Sequence, residues 1–353
     1  NHIDNEVLIY DNIRKLRTNS MKKKILIVGG SGFIGHNLAI YLKENNFEPY
    51  IVDSLGVNNI LSIMDDTVKD KKLYSSILNK RIELIQKNNI KFFINDARNY
   101  HEISRIFEQV KPDKVIHLAA VSHANKSNKD PHNTFDHSLR TLENVLDNVR
   151  INKTHLIYLS SSMVYGNFEG SSVNETTICN PIGIYGTLKY AGELIIKSYN
   201  QVFDLPYTIV RPSALYGERC VSRRVGQIFI ENSLQGSEII VNGSGEEKLD
   251  FTYIKDLLEG IKLICENDRS INETFNITYG EGRSVNDLIK ILKNNFPNQK
   301  VQYKGKEAFS PERGTLDTSK AKKLLNYKSK FSIEKGYNLY IDWYKKFYAT
   351  INK

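Results

Sequence analysis

The chain has 353 residues, of which 40% are hydrophobic and 25% charged, and its formal net charge is +9 at pH 7. This length exceeds the usual size of one compact core, so one large domain or two interleaved domains are expected. No apolar stretch is long enough to span a membrane, and the lysines are spread along the chain rather than clustered in a basic run. Neither a membrane protein nor a nucleic-acid-binding protein is therefore predicted.

The first twenty residues carry mixed charge and no apolar centre, so they are not predicted to be a secretion signal. The run Met21–Lys24 resembles a natural chain start, and residues 1–20 are predicted to be an extension without an assigned function. Cys179, Cys220 and Cys265 lie far apart, without the spacing of a metal or redox site. Unpaired cysteines suit a reducing compartment, so a cytoplasmic location is expected and no metal site is predicted.

A glycine-rich loop follows the first predicted strand, Ile25–Val28. In this loop Gly29, Gly32 and Gly35 are spaced three apart, and the helical pattern that begins near Leu38 follows directly. Glycines in a strand-turn-helix allow a tight turn, close approach of the backbone to a pyrophosphate and close helix packing. Because a helix N-terminus also offers free N–H groups, the loop predicts a dinucleotide-binding site.

The second predicted strand, Pro49–Val52, ends at Asp53. A carboxylate at this distance from the glycines accepts hydrogen bonds from the adenosine ribose and repels a 2′-phosphate, so NAD is favoured over NADP. The alternative is that Asp53 is a solvated residue that opens a loop. The segment 57–89 is long for a strand connection, and its helical periodicity predicts an inserted helical hairpin.

Strand and helix patterns alternate as far as about residue 215, which is typical of a parallel sheet with helices on both faces. The further predicted strands are Lys91–Ile94, Lys114–His117, Leu156–Leu159 and Tyr207–Val210. We therefore predict an α/β fold with a Rossmann-type doubly wound parallel sheet and a smaller α/β substrate-binding domain. The predicted boundaries are 21–215 for the NAD-binding domain, with 250–262 returning to it, and 216–353 for the mainly substrate-binding domain.

Tyr185 and Lys189 are four residues apart, so on a helix they share one face. A tyrosine that acts as a base near neutral pH needs a lowered pKa, and a neighbouring ammonium group favours the phenolate. A hydroxyl from the run Ser160–Ser162 would orient the proton transfer. Together with the glycine loop, these residues predict an enzyme that moves a hydride and a proton. The alternative is a surface helix on which the tyrosine and lysine have no catalytic role.

These segments resemble the extended short-chain dehydrogenase/reductase family, which includes the nucleotide-sugar epimerases and dehydratases. The resemblance runs from about Lys22 to Phe347. The segments that carry it are Gly29–Gly35, Asp53, Asn95–Ala97, His117–Ala120, Leu159–Gly166, Asn180-Pro181, Tyr185, Lys189, Arg211–Gly217, Asp250–Ile254, Arg313-Gly314 and Asp317–Ala321.

The resemblance implies a role for each matching residue. Ser161 is expected to be the catalytic hydroxyl and Tyr185 the base, while Lys189 is expected to bind the nicotinamide ribose and lower the pKa of Tyr185. The expected NAD contacts are Gly29, Gly32, Phe33, Ile34, Gly35, Asp53, Asp96, Ala97, Ala119, Tyr185 and Lys189. The expected contacts with a nucleotide-diphosphate sugar are Ser122, Ser162, Arg223 and Arg313. Arg313 is the candidate partner of the diphosphate, and the alternative is that it is an ordinary surface arginine.

The resemblance also narrows the reaction. Dehydratase relatives place Asp-Glu directly after the catalytic hydroxyl residue, whereas this chain has Ser162 and Met163, so dehydration is disfavoured. The decarboxylase relatives favour a glutamate at the Met163 position and are disfavoured too. The remaining prediction is NAD-dependent oxidation at C4 of a nucleotide-linked sugar, which makes the chain a 4-epimerase with a transient 4-keto intermediate. A homodimer is expected, with Ala191, Leu194, Ile195 and Tyr199 at its seam or, alternatively, in the core.

Two other functions stay open. Many relatives carry asparagine at the Ala214 position and arginine at the Leu249 position, so the substrate contacts of this chain differ from theirs. This difference favours a C4 dehydrogenase or 4-ketosugar reductase that acts on a modified or higher-carbon sugar. A non-enzymatic cofactor-binding protein is disfavoured because Ser161, Tyr185 and Lys189 are all present.

Overall fold

The computed structural model describes residues 21–64, 68–121 and 124–352. Its strands are β1 (Lys24–Val28), β2 (Glu48–Asp53), β3 (Lys91–Ile94), β4 (Lys114–His117), β5 (His155–Leu159), β6 (Ser172–Val173), β7 (Tyr207–Arg211), β8 (Leu215–Tyr216), β9 (Ile239–Asn242), β10 (Lys248–Leu249), β11 (Thr252–Tyr253), β12 (Glu273–Asn276), β13 (Arg283–Ser284), β14 (Val301–Lys304) and β15 (Thr315–Leu316).

The α-helices are α1 (Phe33–Glu44), α2 (Lys71–Lys87), α3 (Tyr100–Val110), α4 (Ala124–Lys129), α5 (Pro131–Phe135), α6 (Thr141–Asn152), α7 (Gly183–Phe203), α8 (Val225–Leu234), α9 (Ile254–Glu266), α10 (Val285–Asn295), α11 (Ser319–Leu325) and α12 (Ile333–Ile351). Short 3₁₀ helices cover Ile60–Ile63, Ser162–Tyr165 and Asp268–Ser270, and a π-helical turn covers Asp136–Arg140. None of the helices in the described part of the chain combines the length and the hydropathy needed to cross a membrane.

Seven parallel strands form the central sheet in the order β12-β7-β5-β4-β1-β2-β3. The chain leaves β1 toward β2 and β3 on one side and later returns to β4 on the other. In such a sheet, ligands bind beyond the carboxyl ends of the strands where the order reverses, which here is between β1 and β4. This arrangement confirms the predicted Rossmann-type doubly wound sheet.

Side chains of β1 alternate between the two faces of the sheet because successive residues of a strand point in opposite directions. Ile25 and Ile27 pack in the core that includes α1 and α9, whereas Leu26 and Val28 pack in the core that includes α3 and α6. All four side chains have 0% exposure. The unbroken apolar run of β1 therefore follows from a strand that is covered on both faces.

The C-terminal part of the chain, from β8 onward, shares its hydrophobic core with the central sheet. Tyr216 at β8 packs near Tyr337 and Tyr340 of α12, and these buried rings belong to the same apolar cluster as Ile25 and Leu38. The chain also returns to the sheet for longer than the predicted 250–262, because α9 covers one face and β12 pairs with β7. Within the segment 57–89, for which a helical hairpin was predicted, the described residues form the 3₁₀ turn Ile60–Ile63 and the 17-residue helix α2.

Candidate active site

The glycine loop lies between β1 and α1 and is tightly constrained. Gly29 has φ +80°, and a Cβ there would lie 2.8 Å from the backbone nitrogen of Ala119. A Cβ at Gly35 would lie 2.5 Å from the Cα of Gly30, so the turn and the helix approach too closely for a side chain at either position. The N-cap of α1 is Gly32, which offers no side-chain cap, and this leaves N–H groups of the first turn for an anionic ligand.

Asp53 is held beside this loop at the end of β2. One carboxylate oxygen accepts a hydrogen bond from the Ser31 N–H at 3.1 Å, and the other accepts one from the Leu55 N–H at 2.8 Å. Burial raises the pKa of Asp53 above its ordinary value, while these hydrogen bonds act in the opposite direction. The carboxylate is therefore fixed in orientation at the mouth of the loop, where a ribose hydroxyl would meet it.

One cavity contains all of the predicted cofactor contacts except Tyr185 and Lys189, which line the adjoining larger cavity. Its lining includes Gly29, Gly32, Phe33, Ile34, Gly35, Asp53, Asp96, Ala97 and Ala119. The cavity also contains Arg81 and Arg224, which the sequence did not place there. The side chain of Asp96 is bound by Arg98, whose Nη2 lies 2.7 Å from it. A glycine cradle, an uncapped helix N-terminus and a carboxylate at the strand end fit a dinucleotide such as NAD.

Ser161 and Tyr185 are brought together by direct packing of two backbone segments. Ser161 follows β5 and caps the 3₁₀ helix Ser162–Tyr165, accepting the Met163 N–H at 3.1 Å. Tyr185 lies in the first turn of α7, next to Gly186. A Cβ at Gly186 would lie 2.7 Å from the Met163 carbonyl oxygen, so the glycine lets α7 approach the serine segment. Ser161 lies near enough to Tyr185 to act on the pKa of its hydroxyl.

Burial raises the pKa of Tyr185, and this effect is opposed by Arg224, by Ser161 and by Arg313. The sequence had assigned that opposing role to Lys189. In the structure the Lys189 ammonium lies 6.0 Å from the centre of the Tyr185 ring and donates to the Leu159 carbonyl at 2.8 Å. Two arginines therefore supply the positive charge near the Tyr185 hydroxyl.

Lys189 is almost completely buried at the foot of the same site. Burial lowers its pKa to about 8, and Glu193, one turn further along α7, acts in the opposite direction. The ammonium also lies 5.2 Å from the centre of the Tyr158 ring. Lys189 can therefore lose its proton within the physiological range of pH, which is unusual for a lysine.

A buried ion pair supports this site from below. Glu193 accepts hydrogen bonds from Arg211 Nη2 at 2.6 Å and Nε at 2.9 Å, and from the Ser160 hydroxyl at 2.5 Å. Arg211 also donates to the Tyr165 hydroxyl at 3.0 Å. Both members of the pair are at most 3% exposed. The pair thus joins α7, β7 and the serine segment beneath the predicted catalytic groups.

A larger cavity of about 1120 Å³ opens from the cofactor cavity and shares Ile34, Leu118 and Arg224 with it. It contains all three predicted catalytic residues, Ser161, Tyr185 and Lys189. It also contains Ser162, Arg223 and Arg313 from the predicted substrate contacts. The fourth of those contacts, Ser122, lies outside the described residues.

Two adjacent arginines differ in their contacts. Arg223, which the sequence favoured as a substrate contact, donates from Nη1 to the Tyr74 hydroxyl of α2 at 2.8 Å. Arg224 lines both cavities and acts on both Tyr185 and Arg313. Repulsion between Arg224 and Arg313, together with burial, lowers the pKa of Arg313 to about 10. Nothing in the sequence separates Arg224 from Arg223, and only the folded chain shows how their contacts differ.

The sequence matches the NAD dependent epimerase/dehydratase family over residues 25–278. The chain belongs to this family. It is accordingly an NAD-dependent enzyme of the extended short-chain dehydrogenase/reductase class, which confirms the predicted family and cofactor.

Relatives in the epimerase/dehydratase family include both of its named activities. A putative UDP-glucose 4-epimerase of Methanocaldococcus jannaschii is 29% identical over 332 residues, covering 91% of this chain and 98% of the relative. A dTDP-D-glucose 4,6-dehydratase of Dictyostelium discoideum is 29% identical over 269 residues, covering 72% and 58%. The crystal structure of Bacillus cereus UDP-glucuronic acid 4-epimerase, in complex with UDP-glucuronic acid and NAD, is 26% identical and superposes with a TM-score of 0.81. That comparison covers 92% of this chain and 99% of the other.

Proposed function

We propose that this enzyme is an NAD-dependent nucleotide-sugar 4-epimerase. The observation that supports the proposal is that Ser161, Tyr185 and Lys189 all line the larger cavity, which adjoins the cofactor cavity. A sugar in the larger cavity would meet the Tyr185 hydroxyl beside the cofactor. UDP-sugar 4-epimerases among the relatives and solved structures support the same reaction.

Each residue has a defined task in this proposal. Tyr185 accepts the proton of the substrate's C4 hydroxyl, and Ser161 shares that hydroxyl oxygen and orients the proton transfer. Lys189 would hold the nicotinamide ribose. NAD, when bound, supplies the hydride chemistry at C4. Because the site leads into a wide cavity, the 4-keto sugar has room to present its other face before the hydride returns to C4 and the proton returns to its oxygen.

Arg313 and Arg224 are proposed to hold the substrate's diphosphate. The two guanidinium groups repel each other, and an anion between them would remove that repulsion. Arginine suits this position since its forked donors match phosphate oxygens. This pairing provides positive charge in a chain that has Leu249 where many relatives carry arginine.

Dehydration is disfavoured by the residues directly after Ser161. Ser162 and Met163 both line the substrate cavity, and neither has a carboxyl group that could assist loss of water. Reversible oxidation at C4 needs no acid or base at these two positions.

A second candidate function is a C4 dehydrogenase or 4-ketosugar reductase on a modified or higher-carbon sugar. Ala214 and Leu249 both line the substrate cavity, so the differences from relatives lie where the substrate binds. Ala214 adopts φ +39°, a conformation that costs energy for a residue with a Cβ.

We also propose that the enzyme is a homodimer. A groove of about 350 Å³ between α6 and α7 is lined by Leu139, Ile195 and Tyr199, and Ile195 is 36% exposed. Leu194, which the sequence placed at the seam, is 49% exposed and therefore not in the core. A second copy is the proposed occupant, because the same apolar face on both partners would be covered at once. Ile195→Glu should convert the dimer into a monomer in size-exclusion chromatography with light scattering, whereas Ile178→Glu, 87% exposed elsewhere, should not.

The function is tested by comparing Tyr185→Phe with Tyr190→Phe, a tyrosine on the same helix. UDP-glucose, UDP-glucuronate and dTDP-glucose are supplied with NAD, and products are followed by NMR. We expect the wild type and Tyr190→Phe to form a C4 epimer from at least one sugar. We expect Tyr185→Phe to bind NAD but to lose turnover by about 100-fold or more. Equal turnover in both variants would refute the proposed base.

A further inference from the structure

Arg81 is a buried cation beside the cofactor cavity. It lies in α2, within the long segment 57–89, and is only 1% exposed. Its side chain lines the cavity that also contains the glycine loop and Asp53. The helix of this long segment therefore reaches into the floor of the cofactor site.

The hydrogen bonds of Arg81 bring it no negative charge. Nη1 donates to the carbonyl oxygens of Ser31 and Asn58, each at 3.4 Å. Nε and Nη2 donate to the Arg219 carbonyl at 3.0 and 2.5 Å. Within the described part of the chain, every hydrogen-bond acceptor of Arg81 is thus a carbonyl oxygen. These hydrogen bonds satisfy the N–H donors of the guanidinium group, but none of them brings a carboxylate into direct contact with its positive charge.

A second cation lies next to it. Arg219 donates to His36 Nε2 at 2.8 Å and to the Asn37 side-chain oxygen at 2.5 Å. Burial, together with the two arginines, holds the pKa of His36 well below its usual range, so this imidazole is neutral. Burial also lowers the pKa of Arg81 to about 10, which leaves it charged at neutral pH. Arg81 and Arg219 therefore place two cationic groups close together beneath the glycine loop, and the carboxylate of Glu218 acts on Arg219.

Asp53 is the carboxylate that acts on Arg81 from the cavity wall, and both of its oxygens already accept N–H groups of Ser31 and Leu55. A buried charge without a partner is costly, and charged side chains are rarely fully buried unless they are paired. A ligand with two phosphate charges in this cavity would add counter-charge for Arg81 beyond that of Asp53, which makes no hydrogen bond with it.

We propose that Arg81 is a cofactor-binding residue whose charge stabilises the pyrophosphate of NAD, which makes helix α2 part of the cofactor site. The inference rests on the assignment of this cavity to NAD. It differs from a purely structural role, in which Arg81 only fastens the loop at Ser31 to the loop at Asn58. A structural role requires hydrogen-bond donors, whereas the proposed role requires the positive charge.

The test uses two variants that separate charge from hydrogen bonding. Arg81→Gln retains donors for the carbonyl oxygens but removes the charge, and Arg81→Lys retains the charge. Lys80→Gln is the matched control, because Lys80 is exposed on the same helix and pairs with Glu83 at 2.7 Å. Affinities for NAD and for adenosine, which lacks the pyrophosphate, are measured by calorimetry and NMR titration on protein freed of nucleotide.

We expect Arg81→Gln to weaken NAD binding by about 10- to 100-fold, the range for a lost hydrogen-bonded charge. Arg81→Lys should stay within about 5-fold of the wild type, since a charged partner remains. Lys80→Gln should bind NAD normally, and adenosine affinity should be the same in all four proteins. The proposal is overturned if Arg81→Gln binds NAD as the wild type does, if adenosine affinity falls equally, or if both Arg81 variants fail to fold. Failure of the wild type to bind NAD would instead refute the cofactor assignment.

Discussion

Replacing Glu193 by glutamine tests the buried ion pair beneath the catalytic groups. The substitution keeps the size of the side chain but leaves the Arg211 guanidinium without its counter-charge in a site where Glu193 is 0% exposed. Three hydrogen bonds converge on this carboxylate, two from Arg211 and one from Ser160. Removing one partner of such a pair costs about 3–5 kcal/mol. At about 2 °C per kcal/mol for a chain of this size, Tm should fall by roughly 6–10 °C.

Differential scanning calorimetry measures this loss against two comparison proteins. Glu83→Gln breaks an exposed pair whose side chains are 40% and 59% exposed, so it should change stability by about 1 kcal/mol or less. The double variant Glu193→Leu/Arg211→Met removes both charges of the pair and should lose less stability than Glu193→Gln alone. A Glu193→Gln protein within about 1 kcal/mol of the wild type would refute this account of the pair.

Three further predictions concern the cofactor loop, the catalytic lysine and a buried histidine. Gly35→Ala should abolish NAD binding in a fluorescence titration, because the added Cβ would lie 2.5 Å from the Gly30 Cα, while Gly305→Ala, with open space around it, should bind normally. The kcat/KM of the wild type should fall as pH rises through about 8, because Lys189 there loses the ammonium charge with which it would hold the nicotinamide ribose, and a flat profile up to pH 10 would contradict that role. Burial lowers the pKa of His117 to about 3. Below about pH 6.5 the imidazole is therefore protonated in the unfolded chain but neutral in the folded chain, so the folded state loses stability as the pH falls. His117→Phe should therefore gain Tm relative to the wild type between pH 7 and pH 4, and parallel Tm curves would count against this.

The sequence was sufficient for features that depend on local spacing. The strand-turn-helix at Gly29–Gly35, the acid at Asp53 and the Tyr185–Lys189 pair each follow from positions close together in the chain. Their meeting in adjoining cavities follows from the parallel sheet, since the carboxyl ends of its strands all lie at one edge.

Features that depend on tertiary packing could not be predicted in this way. Glu193 and Arg211 come from α7 and β7, and only the folded chain shows that they pair with each other beneath Ser160. Arg223 and Arg224 are neighbours in sequence, yet one contacts Tyr74 and the other lines the cofactor cavity. The positive charge near Tyr185 was predicted to come from Lys189 rather than from Arg224 and Arg313, because those two arginines lie far from Tyr185 in the sequence.

The fate of the hydrogen at C4 tests the proposed epimerase most directly. A nucleotide sugar that carries deuterium at C4 is incubated with the enzyme and NAD, and the product is examined by NMR and mass spectrometry. A 4-epimerase returns the deuterium to C4 of the epimer without net reduction of added NAD, and this is the result we predict. Deuterium at C6 of a 4-keto-6-deoxy sugar would contradict the proposal and indicate a dehydratase. Deuterium that accumulates in NADH would also contradict it and indicate a C4 dehydrogenase.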